Sequence, residues 1–328
     1  MTKCFFIKEP LVKPPCFIQL GRFGDLIQLF PAFKAVKDRT GQVPLVITST
    51  EYVSVFDGIS YATPIPSNFE WWGGIPMAKR LADSQFGGGI VLQWWLDEHA
   101  KGPFEYPDSI GNPGGIILQC HGREWGVNIE LWPDYGTSMW DRAGFTRAEM
   151  KSFPLVFDRR NYERELVLFN NVRGKGKLPM LLVNFTGISS PFAAVPEAMG
   201  VINRYRNRFH IVDLAQIRAE RIFDLLGLFD RAVGLVTVDT STLHLANGSP
   251  VPYFAYTCGG WSTSVPKRNC QFEVKYAQAG TRENLALLET YLDWLTNDSR
   301  LQPIHASRPG NAAAQRFGGS VLAGPAVA

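Results

Sequence analysis

An α/β fold made of two parallel-sheet halves is predicted by three observations. Short apolar runs alternate with longer amphipathic stretches, the pattern of successive βαβ units. The alternation restarts after residue 160. And 328 residues, at about 150 per domain, favour two domains.

In the first half, 16–20 reads as a buried strand, 21–24 as a tight turn, and 25–37 as a helix with Leu26, Leu29, Phe30 and Phe33 on one face. Strands at 44–49, 89–95 and 115–119 and a short helix at 51–57 follow. In the second half helices are predicted at 162–171, 196–206, 217–229, 241–247 and 283–296, and strands at 180–185, 209–214, 232–238 and 251–256. The basic stretch 173–177 (RGKGK) is a turn. The expected domains are 1–158 and 159–300, followed by a loose tail at 301–328 rich in Ala, Gly and Pro.

Composition narrows the function. The chain is 45% hydrophobic and 19% charged, with 33 Lys and Arg against 30 Asp and Glu. A net charge of +3 is too small for binding nucleic acid or membrane through bulk electrostatics. Five cysteines without C-x-x-C spacing argue against a disulfide framework or a zinc cluster. The four-residue apolar run within 1–15 is too short for a signal-peptide core, and the uncharged stretch 241–265 is broken by Pro and Gly. These features predict a reduced, soluble, cytoplasmic protein. The sequence holds no G-x-x-x-x-G-K-[ST], no G-x-G-x-x-G after a strand and no G-x-S-x-G. No two aspartates lie two apart, so a D-x-D metal clamp on a nucleotide diphosphate is missing.

Four constellations carry candidate chemistry. In Gly21-Arg22-Phe23-Gly24-Asp25, glycines let the backbone approach a ligand, and Asp25 sits at a helix start beyond the carboxyl end of a strand. Asp25 is read either as a helix cap or as a general base for a sugar hydroxyl. In Asp239-Thr240-Ser241-Thr242-Leu243-His244, a helix start follows an apolar strand. Its N–H groups and hydroxyls suit an anion. His244 is either a packed core histidine or a ligand contact. The loop Asn184-Phe-Thr186-Gly187-Ile-Ser189-Ser190 is either an ordinary turn or a phosphate cradle. Finally Gln93-Trp94-Trp95 and His121-Gly-Arg123-Glu124-Trp125 offer rings that stack on sugars and an Arg for anions, or else core tryptophans and a solvated Arg.

With these residues in view, the chain resembles the heptosyltransferase-type glycosyltransferases, glycosyltransferase family nine. Gly24-Asp25 with Pro31, Ala32 and Lys37 resembles the family's opening strand, turn and helix. Asp213-Leu-Ala215 resembles its D-L-x-G segment. Val238-Asp239-Thr240-Ser241-x-x-His244-Leu-Ala246 resembles V-D-T-G-x-x-H-L-A, and Pro250-Val-Pro252 its G-x-P-V. The resemblance covers about 16–295. It implies a GT-B fold of two facing Rossmann-like domains, with the last helix crossing back to brace the first. It also implies an inverting, metal-independent hexosyl or heptosyl transfer with no cofactor beyond the nucleotide-diphosphate sugar itself, an ADP-sugar for preference. Asp25 matches the general base. Thr186, Gly187, Ser189, Asp239, Thr240, Ser241 and His244 match the donor site. Arg22, Gly24, Gln93, His121, Arg123 and Trp125 are the acceptor-side candidates.

The family's acceptor is commonly a lipopolysaccharide core sugar, which would bring peripheral contact with the inner membrane. A protein or a modified nucleic-acid base is the alternative acceptor, and no stable protein partner is expected. Two rivals stand beside transfer: a nucleotide-sugar epimerase or hydrolase on the same fold, and a non-catalytic nucleotide-sugar-binding protein. The sequence departs from the family at three places. Ser241 replaces a Gly, no Lys follows the 184–190 loop (Lys175 and Lys177 are the nearest substitutes), and Tyr256–Gly260 replaces a Phe-Gly-Pro turn.

Overall fold

In the computed structural model, which describes residues 13–69, 73–93, 116–120, 123–127, 135–174, 176–187, 192–257 and 269–297, the predicted alternation becomes two parallel sheets. Strands β1 (Cys16–Ile18), β2 (Leu45–Ser49), β3 (Thr63–Ser67) and β4 (Ile90–Val91) form the first, in the order β3-β2-β1-β4. A hairpin, β5 (Ile116–Cys120) and β6 (Arg123–Val127), follows. Strands β7 (Met180–Asn184), β8 (His210–Asp213), β9 (Gly234–Val238), β10 (Tyr253–Thr257) and β11 (Cys270–Lys275) form the second sheet, in the order β11-β10-β9-β7-β8.

The strand expected at 115–119 pairs antiparallel with β6 instead of joining a βαβ unit. Only residues 121 and 122 separate the two strands, and a connection that short closes an antiparallel pair, whereas a parallel one needs a crossover of about a dozen residues. Strand β3 has no sequence signal because it carries Pro64 and Pro66. Its Thr63 N–H donates inward to Pro44 O at 2.9 Å, so by alternation both prolines fall where an N–H would face away from β2.

The helix expected over 25–37 is two: α1 (Phe23–Ile27) and α2 (Phe30–Thr40). Pro31 has no N–H for the Ile27 carbonyl, and its ring crowds that oxygen, so the chain stops and restarts. Helix α2 ends at Gly41 with φ 70°, the left-handed cap that glycine favours. The stretch 51–57 is a 3-10 helix, Thr50–Gly58, and α3 (Ile75–Phe86) is an element the sequence reading lacks. Then come α4 (Tyr135–Arg142), α5 (Arg147–Ser152), α6 (Tyr162–Arg173) and α7 (Val195–Asn203). The helix expected at 217–229 is broken into a 3-10 turn, Ile222–Leu225, and α8 (Leu226–Phe229). The buried Asp224 carboxylate explains the break: it accepts from the Arg221 guanidinium at 2.6 Å and from the Arg221 N–H at 3.3 Å, which starts a new turn at 222. Helices α9 (Ser241–Ala246) and α10 (Arg282–Asn297) lie near their expected places.

Strand alternation divides the second sheet between two cores. Met180, Leu182, Leu235, Tyr253 and Ala255 point into a cluster that continues through Phe157 and Phe223 to Ile18, Leu20 and Phe30 of the first half. Leu181, Val183, Val236, Phe254 and Tyr256 point the other way, onto α10 through Leu288, Tyr291, Leu292 and Leu295. The apolar face of α10 is thus committed to the second sheet. Tyr291 fixes it there: its hydroxyl accepts from Leu235 N–H at 3.1 Å and donates to Pro252 O at 2.9 Å. The segment leading from the first half to the second is pinned at both ends. Ser60 N–H donates to Asp158 at 2.8 Å, and the Arg160 guanidinium bridges the buried Glu165 and Asp230 at 2.6 Å each.

Two substitutions test this packing by urea denaturation. Tyr291→Phe is expected to cost about 1 kcal/mol, the usual worth of a buried hydrogen bond. Gly200→Ala, inside α7 with nothing within 4 Å of the added Cβ, is expected to stabilise by roughly 0.5–1 kcal/mol.

Candidate active site

The constellations around Asp25, Thr186 and Thr240 lie at the carboxyl ends of β1, β7 and β9, where open parallel sheets place their ligands. At the end of β1 the buried Gln19 turns the chain. Its Oε1 accepts the Gly21 N–H at 3.0 Å, and its Nε2 lies 3.1 Å from Met139 Sδ. Asp25 is the third residue of α1 rather than its N-cap, and its Oδ2 accepts the Arg22 N–H at 2.9 Å. A Cβ on Gly21 would collide with Asp25 Oδ2 and stand 2.6 Å from Gln93 Nε2, so only glycine leaves room for both. The Arg22 side chain turns toward Tyr52. Burial raises the Tyr52 phenol, the Glu51 carboxylate adds to that, and the Arg22 guanidinium opposes it.

In the second half a chain of hydroxyls ties the ends of β7 and β9 together. Thr242 Oγ1 lies 2.9 Å from Thr237 Oγ1 and 2.8 Å from Thr240 Oγ1, and accepts from Asn184 Nδ2 at 2.9 Å. Thr240 is the N-cap of α9, its Oγ1 accepting the Thr242 N–H at 3.3 Å. Two backbone donors counted on for phosphate are engaged inside the protein. The Thr186 N–H donates to Asn184 Oδ1 at 3.1 Å, and the Asp239 N–H to the Tyr276 hydroxyl at 3.0 Å. Asn184, Thr237 and Tyr276 do this work without a sequence signal beyond a polar residue closing an apolar run.

The two constellations meet. A Cβ on Gly24 would stand 2.9 Å from His244 Cδ2 and 3.3 Å from His244 Nε2, with the Ser241 Cα at 3.7 Å. Helices α1 and α9 therefore pack with no side chain between Gly24 and the imidazole. His244 is 9% exposed and packs against Gly24, the residue before Asp25.

The remaining candidates are spread more widely. Thr186 and Gly187 follow β7, with Thr186 exposed. Gln93, expected to meet the acceptor, is 1% exposed at the end of the first sheet's last strand. Arg123 and Trp125 lie on β6, opposite Cys120 and Leu118. Ser189, His121, Trp94, Trp95 and Lys175 fall outside the described residues, while Lys177 is exposed. A groove of about 640 Å³ lies between α7 and the β7–β8 edge, lined by Phe185, Thr186, Val195, Met199, Arg206 and Asp213 among others, and so opens onto the loop after β7. Beside it Phe185 stacks on Phe192 at 5.5 Å, and Phe192 meets Tyr256 at 4.6 Å. Burial pushes the Tyr256 phenol up. Among the described residues no group of three or more His, Cys, Asp or Glu is placed to hold a metal ion, and no helix is long and apolar enough to cross a membrane.

The close approach can be measured. Gly24→Ala forces the added methyl against His244 and is expected to destabilise by about 1–3 kcal/mol in chemical denaturation, as overpacking does. Gly73→Ala, which meets nothing within 4 Å, is the control and is expected to stay within about 0.5 kcal/mol of the parent.

No protein-family model matches the chain, and no curated protein does. Solved structures do. The Escherichia coli ADP-heptose lipopolysaccharide heptosyltransferase II matches with a TM-score of 0.54 at 13% identity, over 86% of this chain and 98% of that one. A family 9 glycosyltransferase from Veillonella parvula gives 0.48 at 13% identity, over 81% and 87%. The E. coli heptosyltransferase WaaC with ADP-2-deoxy-2-fluoro heptose gives 0.47 at 9% identity, over 85% and 99%. The chain therefore shares with heptosyltransferase II its fold, the GT-B arrangement of two facing Rossmann-like halves.

Proposed function

We propose that this chain is an inverting glycosyltransferase. It would move a hexosyl or heptosyl unit from a nucleotide-diphosphate sugar, an ADP-sugar for preference, to an acceptor hydroxyl. The observation that carries the reading is the contact of Gly24 with His244. That contact brings the residue next to Asp25 against the Asp-Thr-Ser-x-x-His block of the second half, and supports a site shared by the two. The ADP-heptose donor named for heptosyltransferase II, which has the same fold, supports the choice of donor.

In this reading Asp25 Oδ takes the proton of the acceptor hydroxyl as that oxygen forms its bond to the anomeric carbon. The bond from that carbon to the diphosphate oxygen breaks, and the nucleoside diphosphate leaves with the electron pair. Attack from the face opposite the leaving group inverts the anomeric centre. General-base help of this kind is worth about 10²–10⁴-fold. Because the N–H groups of Thr186 and Asp239 are engaged internally, stabilising the leaving diphosphate falls to the Thr186 and Ser241 hydroxyls, the Gly187 N–H and the His244 imidazole. Donors fixed before the reaction stabilise developing charge without reorganising. The Thr237–Thr240–Thr242–Asn184 network fixes this side of the site. The resemblance supports a glycan of the lipopolysaccharide type as the acceptor.

A thermal-shift screen over ADP-, UDP-, GDP- and CMP-sugars tests the donor, since ligand binding raises the melting temperature by mass action. The ADP-sugar is expected to give the largest shift, and no shift with any of the four would defeat the reading. Asp25→Ala is expected to keep the donor shift and to lose about 10²–10⁴-fold in transfer to a lipopolysaccharide core acceptor.

A further inference from the structure

We propose that Gln93 is a positioning residue for Asp25, its side-chain amide fixing the orientation of the carboxylate. This deepens the transferase reading above and rests on it for its catalytic meaning. Strand order places it there. β4 lies beside β1, so the residue two beyond Val91 and the turn that follows β1 share one end of the sheet. A Cβ on Gly21 would stand 2.6 Å from the Gln93 amide nitrogen and 2.4 Å from the Asp25 carboxylate oxygen, so both groups border the same glycine. Gln93 is 1% exposed, so its amide lies among protein groups. Nor is it needed to turn the chain after β1, because Gln19 already holds the Gly21 N–H.

The chemistry of an amide suits the task. A carboxylate that must accept a proton needs to be held in place by donors that leave it basic. A neutral amide and a backbone N–H do this with far less depression of basicity than an ammonium or guanidinium in direct contact would cause. The Arg22 N–H, at 2.9 Å, fixes the same oxygen from the other side. Among the described residues, Arg22 with Glu51 and Tyr52, and His244 against Gly24, are titratable or charged groups near this corner, whereas Gln93, like Gln19, is neutral.

The test has a spectroscopic and a kinetic arm. The side-chain amide signals of Gln93, assigned by their loss in Gln93→Leu, are expected to move upfield in Asp25→Ala, as a donor does when its carboxylate acceptor is removed. Signals unchanged by Asp25→Ala overturn the proposal, whether or not the protein turns over. In the kinetic arm, release of ADP from ADP-heptose is followed with water as the acceptor. Gln93→Leu is expected to lower kcat about ten- to a hundredfold with little change in KM, the effect of a misplaced catalytic group. Gln93→Glu keeps the size and shape but replaces the donor by a like charge, and is expected to lose at least as much. Wild-type kcat in Gln93→Glu, or a loss confined to KM, would rule the role out. A wild-type protein that neither binds ADP-heptose nor releases ADP would count against the transferase reading itself, while the amide signals still decide the contact.

Discussion

Gly24 lies against the imidazole of His244 with no room for a methyl group between them, and the rest of the site depends on that distance. Interiors pack at crystal-like density, so two helix starts can come this close only where one side has no Cβ. The contact links Asp25, one residue further along α1, to the block that opens α9. Behind it, the shared core through Phe157 and Phe223 sets how the halves are turned. Without that core the glycine contact would be a chance touch. With it, the two halves form one surface.

The polar groups on the two sides of this contact are organised differently. On the second half, the buried hydroxyls of Thr237 and Thr242, the half-buried hydroxyl of Thr240 and the Asn184 amide satisfy each other in a chain without net charge. A network of that kind is rigid because each member restricts its neighbours, and a half-filled one would be costly. On the first half, the Asp25 carboxyl group is held by a backbone N–H and borders the same glycine as the Gln93 amide. In the transfer proposed above, the neutral network would hold the anion and the carboxylate would accept the proton.

Much of the second sheet was legible in the sequence because its central strands are unbroken apolar runs, as in 180–184 and 234–238, and both faces are covered. The errors have local causes. Pro64 and Pro66 hide an edge strand. Pro31 splits a helix whose apolar spacing continues across the break. The Asp224 carboxylate restarts a turn inside what reads as one amphipathic stretch. Asp25, Thr240 and His244 could be picked out because short polar motifs follow apolar strands. The Gln19 and Gln93 contacts could not, since a buried glutamine has no spacing rule and its partner is set by which strands are neighbours. The resemblance to a known enzyme family located the blocks, but not which of their N–H groups are already taken.

The prolines of β3 have a consequence outside the site. A parallel sheet ending in a strand with free outward N–H groups is a template on which another chain can add a strand and begin a polymer. Here Thr63 donates inward, and the two outward positions next in line carry rings instead of hydrogens. Positions 64 and 66 of that margin therefore offer an added strand no N–H donor, which disfavours the pairing of a second copy there.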